Sequence, residues 1–338
     1  MSLGDIVIYG AGSIGSTIGG WLTPKYRNVY LTARGEHAKI MDERGLTLLE
    51  TNKTPERVAV RLIDDLAEVS NAKVVILTVK NYDLEEAARD ISSKLGNKPT
   101  IVALQNGVEN QSILPKYFSK VIYGVVGYSA MITKPGVVEY QSRGPVYLGT
   151  IDNKPKYSIE EICQTFNLGF QAEITSRLQD TVHCKIVLNL TNALFTLVGL
   201  NYSDISSYDK LATMASKLIN EGIDVIEAAG CREYRFKNYP SWRALRLGLR
   251  LPASFRTSVL KRSVKHALLN SMGQDVLVRR KKETELEFLN KHILDMAVSA
   301  GMKVPCNKAL YNLCKNLFNK EDFQPLTIEE VWDALKIR

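Results

Sequence analysis

The sequence has few of the features that mark membrane, metal or disulfide proteins. No apolar run is long enough to span a bilayer, so no membrane association is expected. No charged-then-apolar leader precedes the first strand, so no secretory signal is expected and the location should be cytoplasmic. The five cysteines (Cys163, Cys184, Cys231, Cys306, Cys314) are odd in number, scattered and never spaced C-x-x-C. That argues for reduced thiols rather than a disulfide frame. The four histidines (His37, His183, His266, His292) are dispersed, with no H-E-x-x-H, and no metal is expected. No repeat period, low-complexity tract or nucleic-acid motif is visible. What remains is an ordinary globular composition, 45% hydrophobic and 24% charged over 338 residues, a length that suits two domains better than one. The net charge of +8 fits an anionic cofactor and substrate, or nucleic acid.

The most informative stretch is the first fifteen residues. Asp5-Ile6-Val7-Ile8-Tyr9 reads as a buried strand, Gly10-Ala11-Gly12-Ser13-Ile14-Gly15 follows, and a helical pattern continues through Trp21. This is G-x-G-x-x-G between strand and helix, the context that gives the motif its meaning. Gly10 permits the turn, Gly12 lets a pyrophosphate approach, and Gly15 lets helix and strand pack closely. The phosphates would sit on the helix N-terminus; a glycine-rich turn without a ligand is the alternative.

The second strand, Asn28 to Thr32, ends in Thr32-Ala33-Arg34-Gly35, where an NAD site would carry an acidic residue. Arg34 can pair with a 2′-phosphate, so NADP(H) is expected. A solvated arginine is the alternative, and Glu36 just beyond argues for it. A helix over Lys39–Arg44 stops at Gly45; Leu46–Leu49 and Val58–Leu62 alternate like a hairpin around residues 51–55. The continuous apolar run Val74–Val79 reads as a buried parallel strand ending in Lys80, which the topology rule places at the ligand crevice. A solvated loop lysine is the alternative there. Asp83–Leu95 is helical. Thr100–Leu104 is a strand ending in Gln105-Asn106-Gly107, where Asn106 orients a ligand or merely makes a turn. Strands at 121–127, 137–140, 146–149 and, after a helix, 170–174 close this domain near Thr175.

Beyond Ser176 the strand signals stop. Asp180–Leu200 reads as one long helix with Lys185, Asn189 and Asn192 on one face. So apolar a helix is mostly buried, and a buried lysine flanked by amides is costly unless it has a task, such as donating a proton near neutrality. A snorkelling lysine is the alternative. Further helices are expected over 211–229, 241–249, 254–269, 284–300 and 308–317, with Thr284 capping a first turn that carries Glu285 and Glu287. The final stretch, with Trp332 and Leu335, is an amphipathic helix. Arginines and lysines crowd residues 232–266 and 279–282; this is a solvated face, a cleft rim for an anion, or a nucleic-acid surface.

Taken together, Gly10-Ala11-Gly12-Ser13-Ile14-Gly15, Ala33-Arg34-Gly35, Val79-Lys80, Leu104-Gln105-Asn106-Gly107, Lys185-Ile186-Val187-Leu188-Asn189, Ser271-Met272-Gly273-Gln274-Asp275 and Thr284-Glu285-Leu286-Glu287-Phe288-Leu289-Asn290 resemble the ketopantoate reductase (2-dehydropantoate 2-reductase) family from Ile6 to about Leu317. The resemblance implies an α/β protein: an N-terminal Rossmann-type dinucleotide-binding domain (1–176) and an all-helical C-terminal domain (177–338). It implies that the glycine loop, Arg34, Lys80, Asn106, Ala130 and Glu285 meet NADP(H). It also implies that Asn106, Lys185, Asn189, Asn192 and Ser271 meet a small 2-keto acid. Lys185 would be the proton donor, with Glu285 in its neighbourhood.

The family usually has a second asparagine four residues after the first, followed by proline; here Ala193 stands there and Asn192 is one residue early. Ser271 and Glu285 stand further apart than is usual, and Lys291 replaces a glycine. Residues 232–265 form a longer, more arginine-rich insert than the shortest members carry. The implied activity is NADPH-dependent reduction of 2-dehydropantoate in coenzyme A biosynthesis. A relative acting on another 2-keto acid and a non-catalytic NADP(H)-binding regulator are the alternatives. No nucleic-acid partner is expected, and a homodimer is left open.

Overall fold

The structure is a computed structural model that describes residues 3–153, 157–237, 239–265 and 267–337, without the Tyr157 side chain. His266, one of the four dispersed histidines, lies outside the described residues. The chain divides into two compact units, Met1–Leu178 and Gln179–Arg338.

The first unit contains β1 (Ile6–Tyr9), α1 (Ser13–Leu22), β2 (Val29–Thr32), α2 (Gly35–Arg44), β3 (Leu46–Glu50), β4 (Glu56–Val58), β5 (Val74–Leu77), α3 (Leu84–Leu95), β6 (Thr100–Ala103), α4 (Asn110–Ile113), β7 (Val121–Val126), β8 (Ala130–Lys134), β9 (Val137–Tyr140), β10 (Val146–Gly149), α5 (Tyr157–Phe166) and β11 (Ala172–Ile174). Seven strands form a sheet in the order β11-β10-β7-β6-β5-β1-β2. From β7 to β2 all neighbours are parallel, and β10 turns antiparallel against β7. β1 and β5 are buried along their whole length, which explains their unbroken apolar runs. Strand order reverses beside β1, so the loop after β1 lies at the carboxyl edge where α/β sheets take ligands.

A second sheet, β4-β3-β9-β8, stands apart. Its hairpin is shorter than expected: only Glu56–Val58 pairs with β3, and Leu62 instead bridges Leu31 at the edge of the large sheet. β8 has no clear sequence signal, being an edge strand whose last two residues are exposed. Trp21 of α1 fills the space beside this sheet, its ring 5.0 Å from that of Tyr128, 4.9 Å from Tyr140 and 5.4 Å from Phe170.

Among the described residues no strand lies beyond Ile174. The second unit is built from α6 (Leu178–Asn189), α7 (Thr191–Leu197), α8 (Tyr208–Ala228), α9 (Trp242–Leu247), α10 (Ala253–Val264), α11 (Ser271–Gly273), α12 (His292–Ser299), α13 (Pro305–Leu317) and α14 (Ile328–Ala334), with wide π turns at Gln274–Val278 and Glu287–Lys291. The single helix expected over Asp180–Leu200 is therefore two. The Thr191 hydroxyl donates to the Leu188 carbonyl at 3.2 Å, and the Asn290 amide donates to the Leu190 carbonyl at 3.3 Å. Side chains thus take carbonyls that a continuous ladder would use, and the helix breaks at Leu190.

Helix α14 begins at a capping box formed by Thr327 and Glu330. It packs on its own unit, where Lys210 Nζ sits 5.7 Å from the Trp332 ring centroid. Much of the basic run is paired with carboxylates: Arg246 with Asp224 and Glu227, Arg256 with Asp209. No described helix is long and apolar enough to cross a membrane.

Candidate functional site

The glycine loop is fixed by its neighbours. Gly10 N–H donates to Thr32 Oγ1 at 3.0 Å, Ala11 N–H to the Thr32 carbonyl at 2.7 Å, and Thr78 Oγ1 to the Gly10 carbonyl at 2.7 Å. Gly10 adopts φ +95°, the left-handed region, and a Cβ on Gly15 would lie 2.4 Å from the Gly10 carbonyl oxygen. The fold itself needs both glycines. Gly12 differs: its φ is −75°, which any residue adopts, and a Cβ there would meet nothing within 4 Å. Among the described residues no close neighbour accounts for this glycine, and the open space beside it has room for a ligand. The Ala11 and Gly12 N–H groups are spent inside the loop. The N–H groups free to receive a phosphate are therefore those of the first turn, from Ser13, Ile14 and Gly15, where no side chain caps the helix and no acidic residue stands.

Arg34 is exposed at the N-cap of α2, and Glu36 occupies that helix's first turn. One turn further on, His37 ties this helix to the loop. His37 Nδ1 accepts from Gly136 N–H at 2.9 Å, so Nε2 carries the proton and donates to Ser16 Oγ at 3.0 Å. Ser16 in turn donates to the Ala11 carbonyl at 3.0 Å. The sequence did not assign His37, Thr32 and Thr78 to this loop; they stand beside the Ala33-Arg34-Gly35 and Val79-Lys80 stretches, far along the chain from the glycines they support.

Lys80 and Asn106 follow β5 and β6 at the same edge of the sheet, both half-buried. The connection is stitched by residues not singled out from sequence. The Asn81 amide donates to the Asn106 carbonyl at 2.5 Å, and the Gln105 amide to the Leu77 carbonyl at 2.8 Å. Ala130 opens β8 in the other sheet, opposite Tyr140, and belongs to the apolar core.

In the helical unit, Lys185 and Asn189 lie one turn apart on α6, while Asn192 falls on α7 beyond the break. Lys185 is half-buried rather than buried, with Nζ 5.4 Å from the Tyr239 ring centroid. Ser271 and Glu285 meet: the hydroxyl donates to Glu285 Oε2 at 2.9 Å, and Glu285 is 2% exposed. The extra residues between them loop outward, residues 279–283 being exposed, so their longer spacing does not separate them. Helix α11 is capped by Asn270, whose amide also reaches the Asn192 carbonyl at 3.5 Å, bringing Asn192 beside Ser271. The asparagine before the Ser271 motif was the available signal.

The dispersed histidines are not all separate. His183 Nδ1 donates to the Gln179 carbonyl at 2.8 Å, which leaves its Nε2 to accept from His292 Nε2–H at 3.3 Å. Burial, with His183 beside it, pushes His292 down to about 4. Among the described residues no group of three or more His, Cys, Asp or Glu could hold a metal.

Two family models match: ketopantoate reductase PanE/ApbA over residues 6–153, and its C-terminal counterpart over residues 177–318. The 2-dehydropantoate 2-reductase of Pyrococcus horikoshii is 26% identical over 315 residues, 92% of this chain and 96% of the relative. That of Archaeoglobus fulgidus is 26% identical over 319 residues, 94% and 99% of the two chains. Among solved structures, a PanE/ApbA family ketopantoate reductase from Ralstonia eutropha superposes with TM-score 0.71 at 23% identity, covering 98% of this chain and all of that one. D-mandelate dehydrogenase with NADH and anilino(oxo)acetate gives 0.72 at 19% identity, with the same coverage, a likeness of fold alone. With both halves matched in order and along nearly the whole chain, the protein belongs to the ketopantoate reductase (PanE/ApbA) family.

Proposed function

We propose that the chain reduces 2-dehydropantoate to pantoate with NADPH, within pantothenate and coenzyme A biosynthesis. The observation that carries this reading is the Ser271–Glu285 hydrogen bond of 2.9 Å in the unit whose α6 presents Lys185 and Asn189 one turn apart. These are the residues that the family resemblance assigns to the substrate and to proton transfer.

The first unit fits a dinucleotide. Gly12 leaves open space, the first turn of α1 offers uncapped N–H groups, and the exposed Arg34 at the N-cap of α2 would supply a cation for a 2′-phosphate. Lys80, Asn106 and Ala130 would complete the contact within this unit, and the family resemblance adds Glu285 to the cofactor-binding residues. When bound, the dinucleotide supplies the hydride. The chain's own residues do the rest. In the helical unit, Asn189, Asn192 and Ser271 would bind the polar groups of the acid, and the family resemblance adds Asn106. The Lys185 ammonium would stabilise the negative charge developing on the C2 oxygen and deliver a proton to it. Glu285 would fix the Ser271 hydroxyl. All five cysteines are free thiols, which suits a reducing, cytoplasmic setting.

One observation favours a second reading, a relative acting on another 2-keto acid: the break at Leu190 puts Asn192 on a different helix from Asn189. The test is NADPH oxidation, followed by its absorbance, with 2-dehydropantoate beside a panel of 2-keto acids. Selective turnover of 2-dehydropantoate supports the first reading, and turnover of a different acid supports the second. Tight NADPH binding with no turnover leaves a regulatory protein. Lys185→Ala should cut turnover about 100-fold or more with NADPH binding nearly intact; unchanged turnover would remove Lys185 from the role.

A further inference from the structure

The segment between α8 and α9, part of the arginine-rich insert, is strapped onto the helix that carries Lys185. Arg232 N–H donates to Asp180 Oδ1 at 3.1 Å, the Cys184 thiol donates to the Arg232 carbonyl at 3.7 Å, and Tyr234 N–H donates to Cys184 Sγ at 3.2 Å. Asp180 and Cys184 stand one turn apart on α6, so the strap follows the helix. Trp242 N–H, donating to Glu233 Oε1 at 2.9 Å, closes the loop on itself. Inside it runs a ladder of rings, Tyr234 to Phe236 at 5.2 Å and Phe236 to Tyr239 at 6.0 Å. Phe236 is buried and anchors the ladder. The ladder ends where the Tyr239 ring meets the Lys185 ammonium, 5.4 Å from Nζ to centroid.

A carboxylate in that place would hold the ammonium too, but through a directional hydrogen bond that consumes a donor. Among the described residues no carboxylate forms an ion pair with Lys185. The face of an aromatic ring attracts a cation through its quadrupole and takes no N–H donor. All three donors of the ammonium stay available for a substrate oxygen. The geometry points to Tyr239 as a positioning residue for the reaction: its ring face holds the Lys185 ammonium in place without competing for its protons. This rests on the reading of Lys185 as proton donor.

The test compares kcat, KM and NADPH affinity in the full-length protein carrying Tyr239→Phe, Tyr239→Leu or Lys185→Ala. Tyr239→Phe keeps the ring and should hold kcat within about two-fold, whereas Tyr239→Leu should lower it about five-fold, with NADPH affinity unchanged in both. Replacing Tyr239 by phenylalanine and then by increasingly fluorinated phenylalanines keeps the shape while draining charge from the ring face. The expected result is a stepwise fall in kcat. A flat fluorination series overturns the inference even where the leucine variant folds poorly, and so does a phenylalanine variant as impaired as leucine. A fully active Lys185→Ala is a different failure, since it removes the proton-donor reading on which the inference stands.

Discussion

His37 Nε2 lies 3.0 Å from Ser16 Oγ, and through that bond the helix beginning at Arg34 is tied to the loop that would cradle the pyrophosphate. If the dinucleotide binds as proposed, one imidazole would align both ends of its adenosine phosphate site. His37→Leu should weaken dinucleotide binding about ten-fold, the scale of a lost buried hydrogen bond. His37→Gln can accept from Gly136 and donate to Ser16, and should retain most of the affinity. Fluorescence titration with NADPH decides; equal losses in the two variants would show that the linkage does not matter.

Gly12→Ala should leave thermal stability within about 0.5 kcal/mol of the parent, because the chain offers nothing for the new methyl to strike. The same substitution should weaken NADPH binding at least about ten-fold by occupying the space a pyrophosphate needs. Gly15→Ala should do the reverse in emphasis, destabilising the fold through the contact with the Gly10 carbonyl. A melting curve and a binding isotherm for each variant separate the two roles. Full affinity in Gly12→Ala would mean that the ligand does not lie over this loop.

Arg34→Ala should raise the KM for NADPH about ten-fold or more over any change for NADH, as expected for losing a charge-assisted contact to the 2′-phosphate. The ratio of the two KM values is the readout. If it stays constant, Arg34 is an ordinary surface residue and Glu36 becomes the group to examine.

The His183–His292 pair predicts an acid limit to stability. Both imidazoles are held below their ordinary value by burial, and His292 reaches about 4. In the unfolded chain a histidine protonates near 6.5. Above that value both states are neutral and the full stability is present. As pH falls from about 6.5 toward 4 the unfolded chain takes up the proton first, so stability declines across this window by about 2 kcal/mol. Denaturant melts at pH 7.5, 5.5 and 4.5 measure the decline, and His292→Gln should flatten it. An equally steep decline in that variant would assign the acid sensitivity elsewhere.

The parts of the fold that could be read in the sequence are those determined locally. The strand, glycine loop and α1 announce themselves within twenty-two residues, and long amphipathic helices such as α8 carry their own period. The features that escaped depend on distant partners. The break at Leu190 is held by Asn290, a hundred residues away in sequence. β8 is an edge strand that forms by pairing with β9. His183 and His292 look unrelated until the helices pack. At the candidate site, Ser271 and Glu285 are legible as motif residues, but their meeting depends on two π turns and an outward loop that no residue pattern signals. Tyr239 had no signal beyond membership of a basic, aromatic insert.

The setting of Trp21 also determines when the first unit can be complete. Its ring belongs to the first helix made, yet its aromatic neighbours are Tyr128, Tyr140 and Phe170. β3, made early, pairs with β9, made late, with Leu48 opposite Val138. Contacts so distant along the chain form slowly and only after both partners exist. A nascent chain ending before Tyr128 therefore exposes its largest apolar side chain on the helix of the dinucleotide motif. Trp21 fluorescence becomes a clock for the unit's synthesis, its final environment appearing only once Phe170 has left the ribosome.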